Sequence, residues 1–383
     1  MQIEKYPERR QDGGHDKRRR PLHTVSTPPG YPGYWPPPGY GGPAPGYRPP
    51  PYGYGPPPVF GLAKPGIIPL RPLTLSEIFN GGVGYIRTNP RATLGLTATV
   101  VVVMQIITLA AFTGPLTVRG KFTTGRADEL TPGIIGAWAA SVAAALLVAW
   151  LGGILLSGML TVIVGRAVFG SPITIGETWA KIRGRLLPLF GLALLEAAIV
   201  AALLGLVAVI IAMLVAIGGT VAAVFLGFPV MLAMIALTVY LYTVVLFAPV
   251  LIVLERLPVV DAVTRSFALV RNGFWRVLGI RTLTYIVVTA VADAIAIPFS
   301  IVGEVMLVGA PSAGVMLIGT AIASIGSAIG QIVTAPFNAG VIVLLYTDRR
   351  IRSEAFDLVL QSGAAGGPYA TASTDNLWLT RPV

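Results

Sequence analysis

The chain has 383 residues, of which 54% are hydrophobic and 12% are charged, and its formal net charge is +11. Soluble globular chains carry about 25% charged residues, so this composition argues against a soluble enzyme. The absence of cysteine excludes disulfides, thiolate metal sites and a cysteine nucleophile. Most basic residues lie beside apolar stretches, as they do at the flanks of membrane helices, and we therefore expect no nucleic-acid partner.

Residues 1–65 form a low-complexity segment that we expect to be disordered and cytoplasmic. Between Pro28 and Phe60 there are 14 Pro, 8 Gly and 6 Tyr, and the tripeptide Pro-Gly-Tyr occurs four times. Because Pro fixes φ and lacks an N–H donor, and Gly raises chain entropy, neither helix nor sheet is favoured. Two interpretations stay open: a solvated tether, or a Tyr-rich segment that recruits protein partners.

Six apolar stretches follow, at about residues 92–112, 134–165, 187–217, 221–254, 282–303 and 313–346. A helix needs about 20 apolar residues to cross a bilayer. Between Leu186 and Leu254 the only charged residue is Glu196, and Gly218 and Gly219 predict a break between the third and fourth stretches. We therefore predict an all-α, six-span membrane domain over residues 66–357, followed by a flexible tail over residues 358–383.

The distribution of basic residues predicts the orientation of these spans. Segments 61–91, 166–185, 255–281 and 347–352 together contain 16 Lys and Arg, whereas the alternate connections 114–133, 218–220 and 304–312 contain three. Cytoplasmic loops are the ones that carry an excess of basic residues. We therefore expect both termini to be cytoplasmic, in a bacterial cytoplasmic membrane.

Three similar segments each precede a pair of spans. This arrangement predicts three repeats of a short interfacial amphipathic helix followed by a helical hairpin. In the first two segments, Thr74 with Glu77 and Thr174 with Glu177 fit a capping box, in which the hydroxyl and the carboxylate each accept from a free backbone N–H. This structural role is the simplest explanation of both glutamates.

The third such segment, at residues 258–276, is expected to lie in the head-group plane. Asp261 is expected to cap its helix or to pair with Arg265 one turn later. Val263, Phe267 and Val270 would then share an apolar face. The basic residues expected to contact anionic lipid head groups in these segments are Arg183, Arg185, Arg265, Arg271 and Arg276.

The stretch Val260–Gly279 resembles the signature of a membrane domain found beside some bacterial glycerophosphodiester phosphodiesterases. The end of the sixth span, Ala335–Asp357, resembles the ending of related actinobacterial membrane proteins, which often carry a Pro/Gly/Tyr-rich N-terminal segment. The resemblance covers roughly residues 70–357 and implies a membrane domain. The phosphodiesterase activity belongs to a separate barrel with a catalytic His, and the only histidines here are His15 and His23. The resemblance therefore implies no enzymatic activity.

Four polar residues within the predicted spans are candidates for an intramembrane site: Glu196, Asp293, Gln331 and Asn338. An acid is costly to bury in a membrane, so it usually faces the bundle interior and has a partner, for which Arg281 is one candidate. These residues either line a polar path for a proton, an ion or a head group, or form interhelical hydrogen bonds that fix the packing.

Small residues recur along the sixth span and include a GxxxG motif, Gly326 to Gly330. They let helix backbones approach closely. The motif predicts tight packing either within the chain or between protomers of a homo-oligomer.

Two classes of function stay open. One is a non-catalytic scaffold that recruits proteins or lipid, and the other is a transporter or lipid-handling protein with a polar intramembrane cavity. No histidine follows residue 23, so the chain lacks the base or the ligand that an intramembrane serine protease or metalloprotease requires. We accordingly expect no catalytic residues, no metal and no cofactor.

Overall fold

A computed structural model of the protein describes residues 66–69, 71–111, 132–308, 312–365 and 374–379. These residues are almost entirely helical and include no β-strand. The helices are α1 (Leu75–Thr88), α2 (Pro90–Ala111), α3 (Pro132–Val168), α4 (Ile175–Ile182), α5 (Leu186–Val245), α6 (Val259–Arg271), α7 (Phe274–Leu307), α8 (Ala313–Glu354) and α9 (Phe356–Ala365). Short helical turns lie at Arg183–Arg185, Ala248–Val250, Leu251–Glu255 and Thr374–Trp378. The predicted disordered segment 1–65 lies outside the described residues.

Six helical stretches within the described residues are long and apolar enough to cross a membrane, which confirms the predicted all-α, multi-pass architecture. They run over Pro90–Ala111, Pro132–Val168, Ile175–Val221, Val224–Glu255, Phe274–Met306 and Gly314–Glu354. The third and fourth stretches meet within α5 at Gly219, whose φ of 69° and ψ of −174° interrupt the helix. Glycine adopts a positive φ without steric cost, so the predicted break is confirmed and has a physical cause.

Helices α7 and α8 pack against each other through small residues. The backbone of Gly330 lies close to Ala292, where an added Cβ would be 3.1 Å from the Ala292 carbonyl oxygen. A Cβ on Gly303 would be 2.5 Å from the Gly319 carbonyl oxygen, and one on Gly326 would be 2.5 Å from Phe299. The GxxxG motif therefore serves packing within the chain, which was one of the two predicted alternatives.

Two of the amphipathic segments begin with the predicted capping boxes. In α1 the Glu77 amide donates to the Thr74 hydroxyl at 3.3 Å, and the Thr74 amide donates to the Glu77 carboxylate at 2.8 Å. In α4 the corresponding distances between Thr174 and Glu177 are 3.3 and 3.1 Å. Each helix start therefore satisfies its own free donors, which is why these short helices form.

Helix α6 differs from the prediction made for it. Its N-cap is Pro258, which makes no side-chain capping bond, and Asp261 is exposed in the first turn. Arg265 pairs with Glu255 and Glu354 rather than with Asp261. The buried face is formed by Ala262, Ser266, Leu269 and Val270, and Phe267 points outward. The prediction failed because the partners of Arg265 lie on other elements.

Within the segment 358–383, for which we predict a flexible tail, the described residues are mostly helical and some are buried. Residues up to 365 continue α9, and Leu360 is only 1% exposed. Further on, Trp378 is 2% exposed, with its ring centroid 5.2 Å from that of Phe356 and 5.3 Å from that of Phe169. Burial of a large aromatic ring explains why this segment docks on the bundle.

Candidate functional site

The intramembrane acid Glu196 lines a cavity of about 190 Å³ between the long helices. Glu196 is ten residues into α5, and at 1.5 Å per residue it lies about 15 Å along that helix. The other polar residues that line the cavity are Ser157, Thr161, Tyr242, Arg281 and Asn338. This polar cavity is therefore lined by side chains from four helices: α3, α5, α7 and α8. Helix α5 contributes residues from both of its arms, which are the parts before and after Gly219.

Arg281 is held in place by neutral groups. Its Nη1 donates to the Asn338 side-chain oxygen, and its Nη2 donates to the Tyr242 hydroxyl at 3.1 Å. The guanidinium also lies 5.9 Å from the centre of the Tyr242 ring. Among the described residues no ion pair joins Arg281 to Glu196, although both line the same cavity. Ionisable residues within a span are costly to bury, so two of them around one cavity make it a candidate functional site.

A second, apolar cavity of about 490 Å³ adjoins the polar one along α5. It shares Glu196, Tyr242 and Val245 with the polar cavity, and the rest of its lining is mainly apolar. Trp150 of α3 and Leu203, Leu204 and Leu241 of α5 are among these apolar residues. The two cavities together form an amphipathic groove, polar at Arg281 and apolar toward the bend at Gly219.

The structure brings only part of the predicted intramembrane set together. Two of the four candidate residues, Glu196 and Asn338, line the same cavity. Asp293 is exposed on α7 and has no hydrogen bond or ion pair within the described residues. Gln331 is also exposed, and its amide donates to Ser327 at 3.3 Å. Asp293 and Gln331 therefore lie apart from the groove, on outer faces of their helices.

A buried charged cluster, which we call the exit clamp, joins the end of α8 to α1 and α7. Asp348 is fully buried and accepts from the Leu73 amide at 2.8 Å. It also pairs with Arg276 at 3.3 Å and with Arg352 at 2.9 Å. Both arginines donate in turn to the Leu73 carbonyl oxygen, at 2.7 and 3.1 Å. The clamp thus fixes the chain that leads into α1.

The same end of α8 also fixes α6 and the turn at Leu251–Glu255. Fully buried Glu255 pairs with Arg265 of α6 at 2.6 Å and accepts from the Tyr346 hydroxyl at 2.5 Å. Arg350 lies 3.6 Å from Glu255 and packs 4.0 Å from the centre of the Phe356 ring. Buried charges that are paired in this way are costly to disturb, so we assign these residues to the architecture of the bundle.

Helix α1 has one further buried anchor on α8. The Tyr85 hydroxyl donates to the Pro336 carbonyl oxygen, and the side chain is fully buried. Burial raises the pKa of Tyr85 well above its usual range. The hydroxyl therefore stays protonated and keeps its role as a donor.

The predicted interfacial basic residues fall into three environments. Arg265 and Arg276 form ion pairs with fully buried acids, as described above. Arg271 is exposed, with no hydrogen bond or ion pair inside the described residues. Arg183 and Arg185 line a separate cavity of about 420 Å³, together with Arg166, Lys181 and Arg256.

Sequence analysis missed Glu255, Asp348, Arg350 and Asp375 as interacting residues. Glu255 and Asp348 each follow a long uncharged run and stand next to an arginine, and this local pattern is a signal for a buried ion pair. Asp375 pairs with Arg166, 209 positions earlier in the chain. No local pattern predicts a contact at that separation.

The helices and the groove define a multi-pass, all-helical membrane protein with a polar cavity within its spans. The chain belongs to the family described as a domain of unknown function, DUF7847, whose model matches residues 73–349. No curated protein and no solved structure matches the chain. The matched region includes the groove and Asp348, and it ends before Asp375.

Proposed function

We propose that this protein is a non-catalytic, lipid-handling membrane protein whose groove binds one amphipathic lipid. The observation that carries the proposal is that the polar and apolar cavities share Glu196 and Tyr242. A ligand that fills both cavities must be polar at one end and apolar at the other. Membrane lipids have this form, and the apolar cavity is large enough for part of an acyl chain.

The charges of the groove indicate the kind of head group. The Arg281 guanidinium suits a phosphate oxygen, because it presents several N–H donors in a planar fork. The Glu196 carboxylate suits an ammonium or hydroxyl donor a few ångströms away. A phospholipid whose head carries both a phosphodiester and a hydrogen-bond donor, such as phosphatidylethanolamine, satisfies the two residues together.

Replacing Arg281 with glutamine is expected to weaken lipid binding without unfolding the bundle. Hydrogen bonds to charged groups contribute about 1.5–3 kcal/mol each, so we expect retention of phosphatidylethanolamine to fall roughly tenfold or more. Retention is measured by native mass spectrometry of the purified protein in mild detergent. The matched control is Arg271→Gln, since Arg271 is exposed and lies outside the groove.

A second variant tests the apolar part of the groove. Ala201 lines the apolar cavity, and Ala201→Phe is expected to displace the acyl chain and lower retention while leaving Arg281 intact. If both Arg281→Gln and Ala201→Phe retain as much lipid as the control, the lipid-handling proposal is wrong. The scaffold function would then be the better proposal, and its support is the composition of residues 1–65, which offers Tyr, Pro and Gly for partner recruitment.

The orientation that we propose places both termini in the cytoplasm of a bacterial cell. Its support is the excess of basic residues in alternate connections. Reporter fusions after Asp128 and after Asp357 are expected to report opposite sides of the membrane. Five predicted spans lie between the two fusion sites, and an odd number of crossings puts them on opposite sides. Reporters on the same side would therefore contradict the six-span topology.

The three-unit repeat also remains part of the proposal. It pairs α1 with α2 and α3, α4 with the two arms of α5, and α6 with α7 and α8. The matching capping boxes of α1 and α4 support the first two units. The stretch Val260–Gly279 resembles the membrane domain found beside glycerophosphodiester phosphodiesterases. This resemblance supports a role that involves lipid, but not the phosphodiesterase reaction itself.

A further inference from the structure

A basic pocket of about 420 Å³ lies between the end of α3, the turn after α4 and the turn that precedes α6. Its charged lining consists of five cations and a single acid: Arg166, Lys181, Arg183, Arg185, Arg256 and Asp375. Five positive charges less one negative charge leave a surplus of four. No residue of this pocket lines the groove at Glu196, so the inference drawn from it does not depend on the proposed function.

The acid in the pocket comes from the C-terminal segment and is bound as a ligand would be. The Asp375 carboxylate pairs with Arg166 at 2.8 Å and makes a short contact with the Lys181 ammonium. The Arg166 side chain is only 12% exposed, and Asp375 is the acid that compensates its charge. The pocket therefore already holds one oxyanion that belongs to the chain itself.

The remaining cations are oriented toward the pocket without an acid of their own. Arg183, Arg185 and Arg256 have no acidic partner within the part of the chain that the structure describes. Arg256 ends the turn Leu251–Glu255 in the left-handed backbone conformation, with φ 58°, and its carbonyl oxygen accepts from Arg185 at 3.4 Å. Three like charges around one cavity repel one another, and an anion bound between them would offset that repulsion.

We infer that this basic pocket binds a phosphate-bearing anion and that Asp375 occupies its inner part until the anion displaces it. A phosphate carries more negative charge and more acceptor oxygens than one carboxylate, so it can engage more of these cations at once. The segment Thr374–Trp378 is anchored by the Trp378 ring, so Asp375 acts as a tethered competitor. The anion is either a soluble phosphate or the head group of a lipid.

The test uses full-length protein in nanodiscs. In the first arm the disc is pure phosphatidylcholine and inorganic pyrophosphate is titrated calorimetrically. In the second arm phosphatidylglycerol is included in the disc, and its co-purification with the protein is quantified by mass spectrometry.

Asp375→Asn removes the competing charge and is expected to tighten binding about fivefold or more in one arm. Arg183→Gln and Arg256→Asn each remove one cation and are expected to weaken binding about fivefold, at about 1 kcal/mol per charge.

The substitutions are chosen so that loss of charge can be told apart from loss of folding. Asparagine is chosen at position 256 because it tolerates the left-handed conformation, so the variant removes charge without adding strain. Arg183 is exposed, so its replacement leaves the fold intact even if Asp375→Asn perturbs it. Arg271→Gln is the matched control and is expected to bind as the unmodified protein does.

The pattern of effects identifies the source of the anion. Effects on pyrophosphate support a soluble ligand, and effects confined to phosphatidylglycerol support a lipid head group. The inference is overturned if the unmodified protein and Asp375→Asn bind neither probe, or if Arg183→Gln and Arg256→Asn bind as tightly as the control. Loss of lipid from the groove on Arg281→Gln would leave these results unchanged, so the two proposals fail separately.

Discussion

Replacing Asp348 with alanine is expected to destabilise the protein by about 3–5 kcal/mol, which is the usual consequence of removing one partner from a buried ion pair. The substitution leaves the Leu73 amide without its acceptor. It also leaves Arg276 and Arg352 without their acid, since both pair with the same carboxylate. We expect the segment at Leu73 to detach from the end of α8, while the contact of Tyr85 with Pro336 still holds α1 on that helix.

The measurement is a denaturant or thermal unfolding curve in mild detergent, followed by circular dichroism. Asp261→Ala is the matched control, since Asp261 is exposed on α6 and is not expected to change the curve. Asp348→Asn, which keeps an acceptor for the Leu73 amide, should lie between the two. An unfolding curve for Asp348→Ala that overlays the control would show that the clamp contributes nothing to stability.

Gly303→Ala is expected to destabilise the bundle by about 1–3 kcal/mol, the typical cost of adding a methyl group to a well-packed interface. The new Cβ would lie 2.5 Å from the Gly319 carbonyl oxygen, which is backbone and has no side-chain freedom with which to move away. Helices α7 and α8 would have to separate along their whole contact, and the packing of Gly330 against Ala292 would loosen with it.

A glycine on the same helix provides the control. An added Cβ on Gly279 meets no atom within 4 Å, so Gly279→Ala replaces a poor helix former without a clash. That variant is expected to stabilise α7 by up to about 1 kcal/mol. Equal effects of the two substitutions in the unfolding measurement would mean that α7 and α8 do not approach as closely as Gly303 and Gly319 indicate.

The features that sequence predicted correctly are those set by neighbouring residues. A capping box needs only Thr74 and Glu77, three positions apart, and the bend in α5 needs only a glycine that accepts a positive φ. Long apolar runs predict spans because crossing a bilayer depends on local hydropathy. In each case the physical cause lies within one continuous stretch of the chain.

The candidate site was predicted only in part because it depends on which helix faces which. Glu196, Arg281 and Asn338 come from three different spans, and their shared cavity follows from the rotation of each helix about its axis. The apolar sequence around Asp293 gives no periodic signal to fix that rotation, so its outward position could not be inferred. The pairing of Asp375 with Arg166 depends on the docking of Trp378, which is a property of the finished bundle.

The exit clamp joins residues that are synthesised at very different times. Leu73 and Asp348 are 275 positions apart, so the segment that leads into α1 gains its buried acceptor only near the end of synthesis. A ribosome adds residues one at a time from the N-terminus, so Arg276 of α7 is made first, and the segment before α1 lacks Asp348 and Arg352 until the end of α8 has emerged. We therefore expect a chain that stops short of Asp348 to leave the Leu73 amide without its buried acceptor, and so to be less stable than the full chain.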